Sequence, residues 1–510
     1  MIRFLTSIGV CLLLFGSCKE YLDVTPKGRL IPTQVSEFDR LLDNEEIVMS
    51  FFLDNNLGCM LAYMTDNIAL SEGLANIHYK AFNHPNIDRY YGHIYRAPYK
   101  NPNVKDEFWD GGIYGTVKYF NNVIDGVTAL KNAQNEAEAN KVLAQAYAGR
   151  AWVYLHAALA YGPVYQPGAS NDTRTVPYVT SADISTPVPD LSTQQEMFRR
   201  IGEDLHAALP YAPATTNYPS RPNKTATLAM LAYYHLFTQE YDSTVYYANL
   251  AWTAATAAGG PAQVLYDFNA LSFSDPGNPL FSSIVSPDNK AHLPTSREML
   301  FFRFTDNGAG SMDDSYPSEE FVALFDQDDD LRFRYFLQAA PGFQTVFGGT
   351  PYDDGERIQY YRGAYTFGNA PRFQMTAGLS YPEVLLMRAE GYARTNRPDE
   401  AIADLNTLRR YRFKTGTPEL TVPGDQDEVI RLVLEERRRE LPLGHVKRFM
   451  DLKRLCLDQG KPWSKAIITH TVGTTHFEAT VNSPAFRLNI PNTILQFNSE
   501  WGIPLDTRPF

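Results

Sequence analysis

Apolar residues recur at helical spacing along much of this chain. The pattern predicts amphipathic helices over residues 112–131, 138–161, 192–209, 225–238 and 241–256, and again over 382–413 and 426–456. From Val142 to Tyr161 nearly every turn is apolar or small, which marks a helix buried on most faces. The breaker pair Gly162-Pro163 ends it. Residues 163–190, rich in Pro, Thr, Ser and Asp, predict an extended loop. Residues 257–380, with Gly, Pro, Asn and short aromatic runs such as Leu300-Phe301-Phe302-Arg303-Phe304, predict a long irregular region, and the tail to Phe510 reads mostly as loop.

Two helix pairs carry a repeat signature. In Tyr381–Arg412, the residues Leu385, Ala389, Tyr392, Ala401 and Leu405 fall at tetratricopeptide spacing, with the first helix ending near Asn396-Arg397-Pro398. In the pair from 225, Ala232, Tyr241, Ala248 and Ala251 fit the same frame, whereas His235 and Thr244 depart from it. Small residues at these positions let antiparallel helices approach closely, and each pair needs neighbours to cover its apolar face.

The N-terminus follows other rules. Arg3 precedes a mostly apolar stretch from Phe4 to Phe15, the form of a signal peptide and too short for a membrane span of about 20 residues. Phe15-Gly16-Ser17-Cys18 resembles a bacterial lipobox, with Phe15 in the place of the usual leucine. The resemblance implies cleavage after Ser17 and lipid attachment at Cys18, whose acyl chains contribute about 0.8 kcal/mol per buried CH₂. Cys11 leaves with the signal; Cys59 and Cys456 remain, with no C-x-x-C pair and no zinc spacing. Pairing of these two depends on a Cα separation that sequence does not give.

Composition narrows the function classes. The 510 residues carry 46 Lys+Arg against 58 Asp+Glu, a net charge of −12, which argues against nucleic acid as a partner. With 44% apolar residues and a mean hydropathy of −0.31 the chain is globular, neither disordered nor multi-spanning. Tyrosine is abundant, 31 residues against 5 Trp.

Several motifs in order carry a family resemblance. They are Cys18-Lys-Glu-Tyr-Leu22-Asp23-Val-Thr-Pro26; Trp109-x₃-Ile113-Tyr114 with Asn121-Asn122-Val123-Ile124; Ala144-x-Ala146-x₃-Arg150-Ala151-Trp152-x-Tyr154 closing at Tyr161-Gly162-Pro163-Val164; Asp204-Leu205-x-x-Ala208; and Ser380-Tyr381-Pro382-Glu383-Val384-x-Leu386-Met387-x-Ala389-Glu390. Glu436-Arg437-Arg438-Arg439-Glu440-Leu441 and Arg448-Phe449-Met450-Asp451-Leu452-Lys453-Arg454 complete the series, with Leu443-Gly444 where the family carries an acidic-Gly pair. Over essentially the whole mature chain this resembles the SusD/RagB lipoproteins. The resemblance implies a mainly α fold, a body of tetratricopeptide-like helical hairpins with long irregular ligand-facing loops. It divides the chain into a signal peptide (1–17), an N-terminal region with tether and first helices (18–220) and a C-terminal region with the helix pairs and loop insertion (221–510). It further implies an outer-membrane lipoprotein facing the cell surface, which captures oligosaccharides and hands them to a SusC-like TonB-dependent transporter. Lys19-Glu20 is similar to the family's surface-display signal.

No catalytic motif occurs: H-E-x-x-H, G-x-S-x-G and a phosphate loop are all missing, and the expectation is a binding protein without cofactor or metal. Asp326-Gln-Asp328-Asp329-Asp330 lacks the glycine and distal glutamate of a calcium loop; the resemblance makes Asp330-Leu331-Arg332 a salt-linked turn. Arg437–Arg439, set among Glu435, Glu436 and Glu440, reads as structural ion pairs. The candidate ligand residues are the aromatics of a polar loop, Tyr90, Tyr91, His93, Tyr95 and Tyr99, interleaved with Asn86, Asp88, Arg89 and Arg96. Aromatic faces pack on the C–H face of a pyranose while amides, carboxylates and guanidinium groups bond its hydroxyls. By resemblance Asp66 and Asn67 join this surface; a second cluster in the irregular insertion, Tyr352, Tyr360, Tyr361 and Tyr365 around Arg357 and Arg362, is a candidate for the opposite wall. Tyr114, Tyr147, Tyr154, Tyr161, Tyr233, Tyr246, Tyr247 and Tyr392, on predicted helices, read as packing residues, as do Trp109 and Trp152. Two rivals stand beside glycan capture: a peptide-binding, RagB-like subunit, and a tetratricopeptide-type assembly lipoprotein without small ligand.

Overall fold

The computed structural model describes residues 32–48, 60–279, 282–291, 295–303, 315–360, 377–441 and 446–510. The signal segment, Cys18, Cys59, Tyr361, Arg362 and Leu443-Gly444 lie outside them. The body is helical: α1 (Val35–Leu41), α2 (Ile87–His93), α3 (Thr116–Leu130), α4 (Glu136–Tyr161), α5 (Gln194–Ala208), α6 (Lys224–Thr238), α7 (Tyr241–Thr256), α8 (Tyr381–Arg394), α9 (Pro398–Arg409), α10 (Gln426–Glu440) and α11 (Val446–Leu455). Local chemistry sets several of the boundaries. Thr193, Asn223 and Ser380 cap α5, α6 and α8 by accepting backbone N–H bonds from Glu196, Ala226 and Glu383. Gln239 takes a left-handed conformation after α6, and Pro398 opens α9.

The helices stack in sequence, α3 on α4, α4 on α5, α6 on α7, α7 on α8, and α8 on both α9 and α10. Absent side chains make the close approaches possible. A Cβ on Gly149 of α4 would sit 2.3 Å from Phe120 Cζ of α3, and one on Gly391 of α8 would sit 2.6 Å from Val245 Cγ2 of α7. One apolar cluster runs from Val35 to Trp501 and draws on both sides of residue 220. A smaller, aromatic-rich cluster that includes Tyr63, Tyr79, Tyr90, Phe321, Tyr335 and Tyr360 lies under the irregular half.

The family motifs converge as ion pairs. Arg150 of α4 grips Asp204 of α5 through two bonds of 2.8 Å and donates to Asn121 of α3. In the C-terminal half Arg437 joins Glu383 and Asp451, Lys447 joins Glu383, and Arg454 joins Glu390 and Asp451, all with little or no exposure. Arg332 binds Asp330, Glu436 and Glu440, and Asp330 also accepts the Arg332 backbone N–H, so the salt-linked turn forms as expected. Arg437, Arg438 and Arg439 are likewise all engaged in ion pairs.

The structure corrects the sequence reading at four places. The 426–456 stretch is two helices, α10 and α11. The irregular region contains a long hairpin in which β1 (Leu337–Pro341) pairs with β4 (Glu356–Tyr360), and β2 (Gln344–Phe347) pairs with β3 (Thr350–Asp353). Its turn is Gly348-Gly349, both at positive φ as a tight hairpin demands. The tail carries another hairpin, β5 (Ile467–Val472) with β6 (Thr475–Thr480). The polar stretch before Trp109 is largely helical, a π-helical segment at Leu74–Ala81 followed by α2; π spacing gives no 3.6-residue apolar period to read. No helix among the described residues is long and apolar enough to cross a membrane.

Candidate functional site

The segment Tyr63–Asn67 lies at the centre of the region that the resemblance marked for ligand. Its backbone carbonyls are held by side chains from distant parts of the chain. His93 Nδ1 lies 3.0 Å from the Tyr63 oxygen, the Tyr95 hydroxyl donates to Met64 (2.9 Å), and His470 Nε2 lies 2.9 Å from the Thr65 oxygen. Arg438 and Ser318 donate to the Asp66 oxygen, and the Tyr360 hydroxyl donates to that of Asn67. The Asp66 carboxylate receives Arg448 at two points, and Asn67 Oδ1 receives Arg438 Nε at 2.6 Å. Burial pushes the Asp66 carboxyl up, but Arg448 and Arg438 outweigh it and hold the group far below the usual carboxylate range.

Several candidate residues are therefore spent on structure. Asp66 and Asn67 are buried in this hub instead of facing a ligand. His93 is 1% exposed and stacks on His470, with ring centroids 3.8 Å apart, and Tyr95 stacks on the same imidazole at 5.1 Å. Tyr90 and Tyr99 are each 4% exposed; Tyr90 stacks on Tyr79, and the Tyr99 hydroxyl donates to the Ala485 carbonyl. Tyr90 and Tyr95 each have a ring face stacked on a protein ring, and the Tyr99 hydroxyl is engaged, so these side chains have partners within the fold. Among the helix tyrosines, Tyr154, Tyr161, Tyr233 and Tyr392 are buried, but Tyr246 is 60% exposed on α7 and meets the Tyr247 ring at a steep angle.

Tyr91 is different. Half-buried, it takes the Arg96 guanidinium over its ring at 4.1 Å and the Phe510 ring edge-on at 5.3 Å. Arg96 also donates to the Pro509 carbonyl. Beside this stack a cleft of about 330 Å³ opens between the 85–107 segment and Phe510, lined by Pro85, Ile87, Asp88, Lys100, Val104 and Glu107 among others. Val104 and Phe510 are 52% and 42% exposed, so apolar surface stands in the cleft beside carboxylates and lysines. Lys100 lies 3.6 Å from Asp106. The volume falls at the lower end of the range for small-molecule sites. Among the described residues no group of three or more His, Cys, Asp or Glu is arranged to hold a metal ion.

Of the second expected cluster, Tyr361, Arg362 and Tyr365 lie outside the described residues, and Tyr352 packs on the chain just before the π-helical segment. Tyr352 of β3 lies flat against Gly73, where a Cβ would come within 2.0 Å of the ring, and its hydroxyl donates to Asp354. Farther out on the same hairpin Phe347 contacts Phe82 edge-on at 6.1 Å, and both rings are about half exposed. Phe82, Phe347, Phe510 and His470 have no distinguishing spacing in sequence; only the hairpins and the returning tail place them here.

The comparisons with known proteins agree. A SusD-like family profile described as starch-binding and associating with the outer membrane matches residues 20–236, and the SusD family profile matches residues 379–489. The SusD-like protein P2 of Formosa agariphila is 25% identical over 395 residues, 69% of this chain and 71% of that protein. A SusD superfamily protein from Bacteroides thetaiotaomicron superposes with a TM-score of 0.65 at 16% identity, covering 92% of this chain and 98% of that one. A SusD-like carbohydrate binding protein from Bacteroides vulgatus gives 0.60 at 18%, with 92% and 97% covered. Matched at both ends by SusD profiles, and sharing the SusD fold over nine-tenths of its length, the chain belongs to the SusD family.

Proposed function

We propose that this protein captures oligosaccharides at the outer-membrane surface, anchored through lipid on Cys18, and delivers them to a SusC-like TonB-dependent transporter. The observation that carries the reading is the cleft beside the Tyr91–Phe510–Arg96 stack. It offers exposed aromatic and aliphatic surface next to carboxylate, amide and ammonium groups, the combination that grips a sugar ring and its hydroxyls. The family's description and the names of its relatives support a carbohydrate ligand and an outer-membrane setting. The site binds and releases; no step of covalent chemistry is assigned to it.

Titration against malto-, cello-, laminari- and xylo-oligosaccharides tests the reading. Saturable binding that is lost in Tyr91→Ala and in Phe510→Ala supports it. Failure of every glycan to bind sinks it. The mixed charges of the cleft, Asp88 and Glu107 beside Lys100 and Lys105, favour one other reading, a peptide ligand, and binding of mixed peptides in place of glycans would establish that instead.

A further inference from the structure

One carboxylate of the long hairpin gathers hydroxyls from three places in the chain. Asp354 sits where the hairpin kinks, between β3 and β4, and accepts three hydroxyl donors: Ser71 Oγ at 2.6 Å, the Tyr316 hydroxyl at 2.7 Å and the Tyr352 hydroxyl at 2.8 Å. Among the described residues no cation lies within salt-bridge distance of it; Arg357 reaches only its backbone oxygen. Exposed Asp125 and Asp183 likewise accept a serine hydroxyl, but Asp354 gathers three hydroxyls. Asp66, Asp204, Asp451, Glu383, Glu390 and Glu440 are each matched by arginine or lysine, whereas Asp354 is matched by neutral O–H groups alone.

Hydroxyls are also what a saccharide offers, and a carboxylate that accepts adjacent O–H groups makes strong, charge-assisted bonds to them. Aromatic faces surround the group. The Phe343 and Tyr352 rings lie 6.1 Å apart, and His78 stands edge-on to Phe343 at 5.5 Å. Ser71, Tyr352 and Asp354 are all partly exposed.

The hairpin kinks here. Gly355 follows Asp354 at a φ of 74°, and Gly342 packs opposite it, its N–H donating to the Gly355 carbonyl at 2.7 Å. Beyond this kink nearly all of β2 and β3 is exposed. The outer half is held to the body by the Tyr352 ring on Gly73, by the Phe347–Phe82 contact and by the Asp354 hydroxyl bonds.

We propose that Asp354 is a saccharide-binding carboxylate occupied by the protein's own hydroxyls in the free state. A vicinal diol of the ligand replaces the Tyr352 hydroxyl on Asp354, and the outer hairpin shifts about the Gly342–Gly355 kink to admit the sugar between Tyr352 and the 71–84 segment. No bond is made or broken other than hydrogen bonds. The proposal rests on the glycan-capture reading and adds to it a second contact region with its own residue.

The test uses the full mature chain and whichever neutral oligosaccharide of the panel above binds the wild type, followed by calorimetry. Tyr352→Phe keeps the ring on Gly73 and removes the internal competitor, together with the bond its hydroxyl takes from the Gly73 backbone N–H, and affinity rises by about three- to tenfold, as expected when a binding-competent state is freed. Asp354→Asn removes the charged acceptor and weakens binding by about tenfold or more. Opposite signs are the signature, because a merely structural hydrogen bond loses affinity, or changes nothing, in both variants. Tyr352→Phe is nearly isosteric and carries the test even if Asp354→Asn folds poorly: unchanged or weaker binding by Tyr352→Phe overturns the proposal. If the wild type binds no glycan at all, the capture reading falls and this inference falls with it; normal wild-type binding with an inert Tyr352 hydroxyl overturns this inference alone.

Discussion

Asp66 and Arg448 face each other in a two-point ion pair, Nε to Oδ1 and Nη2 to Oδ2, both at 2.8 Å. They stand 382 positions apart, and their contact joins the Tyr63–Asn67 segment to α11. With Arg438 on the same carboxylate, the pair ties down the strand of chain from which Tyr95, His93 and His470 are also held. Removing one partner of a buried pair leaves an uncompensated charge. Asp66→Ala is therefore expected to cost about 3–5 kcal/mol, read as a lower midpoint in urea unfolding. A loss below about 1 kcal/mol would mean that the two arginines find other partners.

Buried imidazoles, His235 among them, make stability depend on pH well above the carboxylate range. Burial pulls His93, His156 and His470 below the ordinary imidazole value, His156 to about 3 with Lys447 adding to the effect. The unfolded chain takes up a proton at each near pH 6.5 while the folded chain does not, so stability is full above that pH and falls as pH drops from about 6.5 toward the folded values. The slope is at most about 1.4 kcal/mol per pH unit for each histidine. Urea midpoints compared at neutral and mildly acidic pH measure it, and His156→Leu is expected to flatten the dependence by one proton's worth.

A separate, steeper loss belongs to strong acid. Burial raises Asp451 and Glu436, yet Arg437 and Arg454 bring Asp451 down to about 2, and Arg332 and Arg439 do the same for Glu436. Their stabilisation is complete above the unfolded carboxylate values near pH 4 and disappears as pH falls through about 2. Circular dichroism during acid titration is expected to show the helical signal persisting through the histidine range and collapsing between these limits. Collapse already near pH 5 would contradict it.

Much of this architecture was legible in the sequence because helices and motif charges are local or ordered along the chain. The small residues of α4 and the Asp330–Arg332 turn announced themselves. The ligand surface did not. Tyrosine is amphipathic, so Tyr90 inside and Tyr91 at the cleft look alike in a polar stretch, and only the α2 face that each occupies separates them. Phe510, Phe82 and Phe347 become a surface through contacts with elements hundreds of residues away. Asp354 looks like an ordinary turn aspartate until Ser71 and Tyr316 are folded beside it.

Gly73 separates hairpin attachment from global stability. A methyl group there overlaps the Tyr352 ring, which is at the free end of a side chain on an exposed hairpin and can move away. Gly73→Ala is expected to leave the overall unfolding midpoint within about 1 kcal/mol of wild type, while cleavage by a nonspecific protease at 344–353 becomes faster. Equal protease resistance would show that the hairpin is held by its other contacts.

Lys453 gives the opposite case, a charge whose role is wholly internal. Its ammonium donates to the Leu159 and Gly162 carbonyls at the end of α4, both at 2.6 Å, and burial brings its pKa down to about 7. Lys453→Met keeps the stem but orphans two helix-end oxygens, at about 1–3 kcal/mol each. The expected result is a clear fall in melting temperature with oligosaccharide affinity at the intact fold unchanged.

The hairpin begins and ends on directly paired residues, Leu337 and Tyr360, so the chain leaves the body and returns to it within about one strand spacing. A segment joined that way is a cassette: its length, turn and side chains can be exchanged while both stumps stay where they are. Relatives sharing the helical scaffold can thus acquire new appetites by replacing some two dozen residues, and a designer can do the same, grafting a foreign hairpin between 337 and 360 without redrawing the body beneath.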